Sequence, residues 1–125
     1  MTKTANLLTL CTLQLEEQKP KEDKFKVAVI EATDEVFSSF SNLDKEEVYF
    51  YLENAFKINK QEIPFRMKDF ADAIEQIFGI GAKLIEIRII EALHKRITNF
   101  MFTPKKGFVS LKEYATSLRT FLLQP

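Results

Sequence analysis

Tryptophan is absent from this sequence of 125 residues, and cysteine and histidine occur once each. The lone Cys11 excludes an internal disulfide and a cysteine-built zinc site, and it fits a reducing compartment. A single histidine leaves little material for general acid–base chemistry. Net charge is also missing, since eighteen basic residues balance eighteen acidic ones; the whole molecule therefore has no electrostatic pull toward a polyanion. Nor is there a long apolar run. The longest, Leu7 to Leu15, is interrupted by Thr9, Thr12 and Gln14 and is about half of what a membrane-spanning helix requires. It is a poor secretion signal as well, with only Lys3 before it and no small-residue cleavage site after it, so the cytoplasm is the expected location. Internal repeats and low-complexity segments are lacking, which leaves no basis for a solenoid or a disordered tail. At this length one domain is expected, able to bury roughly two thirds of the surface of its unfolded chain.

Only three glycines and four prolines occur, and their scarcity makes each one informative as punctuation. Leu7, Leu8, Cys11 and Leu15 share one face of a first helix over residues 5–18, peripheral to the domain, and Lys19-Pro20-Lys21 should close it. Residues 22–40 carry Ala28, Ala32, Val36 and Phe40 at helical spacing. Asp44 and Glu47 have the spacing of a capping box opening a helix to Phe56, with Val48, Tyr49, Leu52, Ala55 and Phe56 on its apolar side. Residues 59–64 read as a connecting turn. Met67, Phe70, Ala71, Ile74, Ile77 and Phe78 then give the cleanest amphipathic pattern in the chain, over 66–78. Gly79 stands where a helix-ending residue of positive φ belongs. The next helix, 81–98, is apolar around most of its circumference, which marks it as central to a bundle or as packed against a second chain. Phe100-Met101-Phe102, the turn Thr103-Pro104-Lys105-Lys106-Gly107, and Phe108-Val109 allow a short β-hairpin. Ser110 and Glu113 start a last helix. The fold class is all-α, a compact bundle of five or six helices.

The chemistry-bearing candidates are few. His94 has Ile90, Glu91, Ile97 and Thr98 as its helical neighbours and no nucleophile in register, so it reads as a last-turn histidine facing the helix dipole. Gly79-Ile80-Gly81-Ala82 lacks the preceding strand and the Gly-Lys-Ser/Thr ending of a phosphate loop. The acidic pairs Glu16-Glu17, Glu22-Asp23 and Glu46-Glu47 are adjacent in sequence and diverge on a helix, so they make no metal site. No catalytic residue, cofactor site or metal site is expected.

Two positions look misplaced unless something covers them. Glu86 projects from the apolar arc of helix 81–98, where a carboxylate needs a partner, either another helix such as the terminal one or a second molecule. Phe50 lies opposite the apolar stripe of its own helix, and twelve phenylalanines are many for one small core. A partner interface of Phe50, Glu86, Ile87 and Ile90 follows, with a homodimer as the expected form. Charge is also uneven along the chain. Residues 1–62 hold eight cations against twelve carboxylates, a balance of −4, and residues 63–125 hold ten against six, a balance of +4. Such polarity favours head-to-tail attraction between copies or the orientation of an approaching partner.

A second reading comes from Ala92 to Lys112, which carries five cations and no acid. Three helices followed by a lysine-tipped hairpin is the outline of a winged helix, with Lys95, Arg96, Lys105 and Lys106 on phosphates. Against it, isoleucines occupy the positions from which a recognition helix reads bases.

The run Tyr51-Leu52-Glu53, Phe56-Lys57-Ile58, Glu62-Ile63-Pro64, Phe70, Ile74, Phe78-Gly79-Ile80-Gly81-Ala82, Ile85-Glu86 and Leu93 resembles a family of small helical domains from Nitrosopumilus-type archaea. Those domains occur alone or as output domains of signalling proteins and have no assigned biochemical activity. Phe78-Gly79-x-Gly81-Ala82 with Glu86 is the most specific part, and the similarity spans residues 49–93. It implies an archaeal helical module that works by contact, and it supplies no ligand.

Overall fold

A computed structural model of the chain describes residues 2–102 and 110–124, with residues 2–19 described by their backbone alone. Five α-helices are present: α1 (Thr2–Ser39), α2 (Lys45–Phe56), α3 (Met67–Phe78), α4 (Ala82–His94) and α5 (Leu111–Leu123). A 3-10 helix at Lys60–Phe65 precedes α3, and a one-turn 3-10 segment at Gly79–Gly81 links α3 to α4. No strand occurs among the described residues. The fold is therefore the all-α bundle that the periodicity implies.

The largest departure from the expected boundaries is α1. Proline was expected to split it, yet the helix runs through Pro20 for 38 residues, about 57 Å at 1.5 Å per residue. Pro20 removes one backbone donor, but the turns that follow are held from outside the helix. Arg119 grips Glu22 through two nitrogens at 2.9 and 3.1 Å, and Lys21 Nζ reaches the Gln124 carbonyl at 3.2 Å. Beyond that clamp Phe25, Ala28, Val29, Ala32, Val36 and Phe37 are buried on one face. Thr33, also fully buried, returns its hydroxyl to the Val29 carbonyl at 2.8 Å, so no polar atom is orphaned on that face. α1 touches α2, α4, α5 and the 60–65 helix. It thus shares the central place that the apolar breadth of residues 81–98 reserves for α4.

Local chemistry sets the other boundaries. Asp44 caps α2 by accepting the Glu46 N–H at 3.0 Å, without the reciprocal bond from Glu47. Lys57 ends α2 at φ 59°, and its N–H returns to the Leu52 carbonyl. The segment expected to be a plain turn is a 3-10 helix with a complete capping box. Asn59 accepts from Gln61 at 2.8 Å, and its own N–H donates to Glu62 at 3.1 Å. Arg66 then ties the joint: its guanidinium meets Asp69 on α3 at 3.1 Å and the carbonyl of Lys57 at the end of α2 at 2.6 Å. Ser110 caps α5 by accepting the Glu113 N–H at 3.0 Å.

Helix α4 ends at His94, four residues before the expected limit. After it the backbone tightens, with Arg96 N–H on the Leu93 carbonyl, and Asn99 takes a positive φ of 64°. Ile97, in the tightened turn, and Phe100, after the bend, both enter the core, where each is 8 % exposed. Phe100 and Phe102 form no strand. They join Tyr114 and Phe121 in a ring cluster with centroids 5.2–5.5 Å apart for Phe100–Phe121, Phe102–Tyr114 and Phe100–Tyr114. The rest of the expected hairpin, 103–109, lies outside the described residues.

Gly79 adopts φ 57°, ψ −121°, a conformation that a Cβ makes strained even though no atom stands in its way. Gly81 has φ −70°, and an added Cβ would meet nothing nearer than Phe78 Cβ at 4.0 Å. Gly79→Ala should therefore cost about 1–2 kcal/mol, whereas Gly81→Ala should be neutral or stabilising by up to about 1 kcal/mol. Urea midpoints of the two variants check the contrast, and equal effects would contradict the assignment of the bend to Gly79.

Candidate interaction surface

Most of the phenylalanine excess is absorbed internally. Phe25, Phe37, Phe70 and Phe100 are buried, while Phe40, Phe56, Phe78, Phe102 and Phe121 pack partly covered against them. Phe65 is half exposed but lies 6.3 Å from the Phe25 ring, with the Arg119 guanidinium 5.5 Å above it. Phe50 is different. It is 69 % exposed, and Tyr51 beside it is 52 % exposed, because α2 buries only Val48, Tyr49 and Leu52. Glu46 precedes Phe50 by one helical turn, Glu53 follows it by one turn, and Glu47 precedes Tyr51 in the same way; all three are exposed. The outward side of α2 carries two exposed rings that point about 100° apart around the helix, Phe50 and Tyr51, the latter edge-on to Phe56 at 5.7 Å, with carboxylates beside each.

Helix α4 presents a second such face. Its buried side is Ala82, Ile85, Ile89, Ala92 and Leu93, which meets α1, α3 and α5. Leu84 and Ile87 lie three residues apart on one face of α4 and are 48 % and 40 % exposed, and Ile80, in the one-turn 3-10 segment just before the helix, is 99 % exposed. The exposed Lys83 and Arg88 flank them, and Glu91 stands one turn beyond Ile87. The α4 N-terminus, beside Ile80 and Leu84, has no side-chain cap, so its amide end adds partial positive charge.

The sequence-derived interface residues separate on this basis. Phe50 and Ile87 lie on exposed faces. Ile90 packs partly buried against the core. Glu86 is half-buried and finds its partner within the chain, with its Oε1 3.5 Å from the Leu111 amide at the start of α5. The terminal helix is the neighbour that the sequence suggests, but the contact is to its backbone and positive dipole end, with no lysine or arginine involved. Three members of the two faces, Tyr51, Ile80 and Leu84, escape sequence reasoning. Tyr51 enters the sequence reading only through the family resemblance, and Ile80 only there and within the Gly79-Ile80-Gly81-Ala82 run.

Two cations of the basic stretch behind the nucleic-acid alternative, Lys95 and Arg96, are answered by acids from α1, which sequence proximity does not reveal. Lys95 meets Glu35 at 2.8 Å, and Arg96 meets Glu35 at 2.9 Å and Glu31 at 3.8 Å while bonding the Ala92 carbonyl at 2.8 Å. Hydrogen bonds from Lys95 and then Arg96 hold the Glu35 carboxyl below its ordinary range. Lys105 and Lys106 lie outside the described residues.

No family model matches this chain, and no curated protein or solved structure matches it either. Its site is therefore read from its own chemistry. His94 Nδ1 shares a hydrogen bond with the Tyr114 hydroxyl at 2.9 Å. Burial pushes that phenol up to about 12, so Tyr114 keeps its proton at neutral pH and offers no base. Tyr49 donates to Asp34 at 2.6 Å, and Lys60 meets the same carboxylate oxygen at 3.2 Å with its ammonium 4.8 Å from the Tyr49 ring centre. Burial, then the Asp34 bond, drives the Tyr49 phenol well above its usual range. This network joins α1, α2 and the 60–65 helix. Among the described residues no group of three or more potential ligands could hold a metal ion, and no helix is long and apolar enough to cross a membrane.

Two measurements follow. Because the folded Glu35 carboxyl titrates below its unfolded value, its contribution to stability is complete above the ordinary glutamate pKa of about 4.3 and is lost as pH falls through the lowered folded value. Glu35→Gln should therefore be less stable than the native protein at pH 7, and the gap should close below about pH 4 in paired denaturation curves. Glu86→Ala should cost about 0.5–1 kcal/mol, the scale of a carboxylate at a helix N-terminus, with 0.5 M salt shrinking the effect. An unchanged urea midpoint would remove Glu86 from the α4–α5 contact.

Proposed function

We propose that the protein is a non-catalytic helical interaction and regulatory module that self-associates through the outward faces of α2 and α4. The observation that carries this reading is the contrast in burial. The core encloses twenty-six apolar side chains in one cluster, yet five large apolar residues on α2 and at the start of α4 remain in solvent, grouped on two helical faces. Isolated exposed apolar residues are ordinary, but stripes of them rimmed by charge mark contact surfaces. Each face offers a few hundred Å², against roughly 800 Å² per partner in a stable interface. At about 25 cal/mol per Å² the gain is several kcal/mol, comparable with the cost of association, so a weak and reversible contact is the matching behaviour. Such a contact suits a regulatory role, because modest changes in concentration or in a covalent neighbour shift its population. The resemblance of residues 49–93 to archaeal output-type domains, which have no assigned biochemical activity, is compatible with a module that works by contact.

Phe50→Ser should lower the apparent mass measured by light scattering at tens to hundreds of micromolar without changing the thermal midpoint, since the ring lies outside the core. A native chain that remains at 14.5 kDa throughout that range overturns self-association. A salt-sensitive shift of arbitrary duplex DNA by the same chain would instead favour the nucleic-acid alternative.

A further inference from the structure

We propose that the self-contact is heterologous: the acidic aromatic face of α2 on one copy docks against the apolar, basic-flanked N-terminal half of α4 on the next. This rests on the self-association reading and goes beyond it by fixing which face meets which. An isologous contact would place each face against its own likeness. For α2 that would bring Glu46, Glu47 and Glu53 of one copy toward the same three carboxylates of the other, around a desolvated pair of phenylalanines. For α4 it would oppose Lys83 and Arg88, together with two positive helix ends, to themselves. Like charges at the rim of an apolar contact disfavour both pairings.

The crossed pairing removes both conflicts. The two rings of α2, Phe50 and Tyr51, meet the aliphatic row Ile80, Leu84 and Ile87. The carboxylates around the rings face Arg88 and the positive dipole end of α4, where the Ala82 amide already donates to the Gly79 carbonyl. One charge on the α4 face runs against the pairing: Glu91, one turn past Ile87. It lies at the far end of the row from Ile80, which limits the docked portion to the N-terminal half of the helix. Glu47, Glu53 and Arg88 form no ion pair among the described residues, in contrast to Glu22, Glu31 and Glu35, which are satisfied within the chain. A heterologous contact leaves one α2 face and one α4 face free at the ends of every assembly, so copies add head to tail into a ring or a short filament whose length follows concentration.

The test uses two full-length variants that each disable one face. Phe50→Glu keeps the α4 face, and Leu84→Glu keeps the α2 face; Ile80→Glu, at a fully exposed position, replaces Leu84→Glu if circular dichroism shows lost helix. In sedimentation velocity the native chain should grow beyond dimer mass with concentration. Each variant alone should stay at 14.5 kDa, with self-association at least tenfold weaker. An equimolar mixture should form a heterodimer and stop there, because the two surviving faces meet once. A reciprocal charge pair gives a second arm. Glu47→Arg and Arg88→Glu should each weaken native assembly, and an equimolar mixture should restore growth beyond dimer mass, because each variant then meets a complementary face at both ends. A native chain that associates while the mixtures stay monomeric overturns the crossed pairing and leaves self-association standing. A native chain that is monomeric throughout overturns both.

Discussion

The buried face of α1, from Phe25 through Val29, Ala32 and Val36 to Phe37, is the contact on which the other helices depend. It is the one element that meets α2, α4, α5 and the 60–65 helix. Its residues alternate bulk in a way that permits this. Ala28 and Ala32 let neighbours come close, while Phe25 and Phe37 fill the ends, with Phe37 5.5 Å from the Tyr49 ring and 6.5 Å from that of Phe70. A void at such a site removes transfer energy and packing together, on the order of 3–5 kcal/mol for a phenylalanine. Against a total stability of about 5–15 kcal/mol, one such loss threatens the whole fold.

This spine also explains why α4 keeps an unused face. Residues 82–94 dock on α1, α3 and α5 through Ala82, Ile85, Ile89, Ala92 and Leu93, and three neighbours on one side leave no fourth to cover the other. The position of α5 is fixed at both ends by polar contacts. The Glu86 carboxylate lies at its first turn, and Lys21 and Arg119 join its last turns to α1. The apolar breadth of α4 therefore exceeds what its place in the bundle consumes. The surplus collects where α4 begins, just beyond the Gly79 bend, where Ile80 has no neighbouring helix to enter.

Much of this was legible in the residues, and the exceptions have physical causes. The amphipathic pattern of 66–78 and the capping residues Asp44 and Ser110 mark real boundaries to within a residue. Pro20 misleads because a proline rule weighs only the helix's own hydrogen bonds. The clamp that sustains the helix past it comes from Arg119 and Gln124, about a hundred residues away. The early end of α4 has a similar origin. Ile97 fits the helical period, but it reaches the core from the tightened turn after His94, where its N–H lies 3.4 Å from the His94 carbonyl. Phenylalanine count overstates the exposed surface, since a cluster of Phe100, Phe102, Tyr114 and Phe121 can be assembled only by a chain reversal that spacing does not encode. At the interaction faces, Phe50 and Ile87 were visible as helical misfits, whereas Ile80 and Leu84 needed knowledge of where α3 and α1 stop covering α4.

The charge asymmetry of the sequence has a corresponding resolution. The acidic half and the basic half first meet inside one molecule: Glu22 with Arg119, and Glu31 and Glu35 with Lys95 and Arg96. Those pairs consume most of the acid of α1's described C-terminal half and two of the basic residues, Lys95 and Arg96, that made a polyanion partner attractive. Among the described residues Glu46, Glu47 and Glu53 stand without an ion pair around Phe50 and Tyr51, and Arg88 stands without one beside the exposed row of α4. Surface pairs contribute little energy singly, so these charges add modestly to affinity. Their effect is on choice: they reject a like face and admit the opposite one, while the rings and the aliphatic row supply the attraction. Specificity and driving force thus reside in different side chains of the same two helices, and the polarity of the chain persists at the one place where its own fold leaves it unanswered.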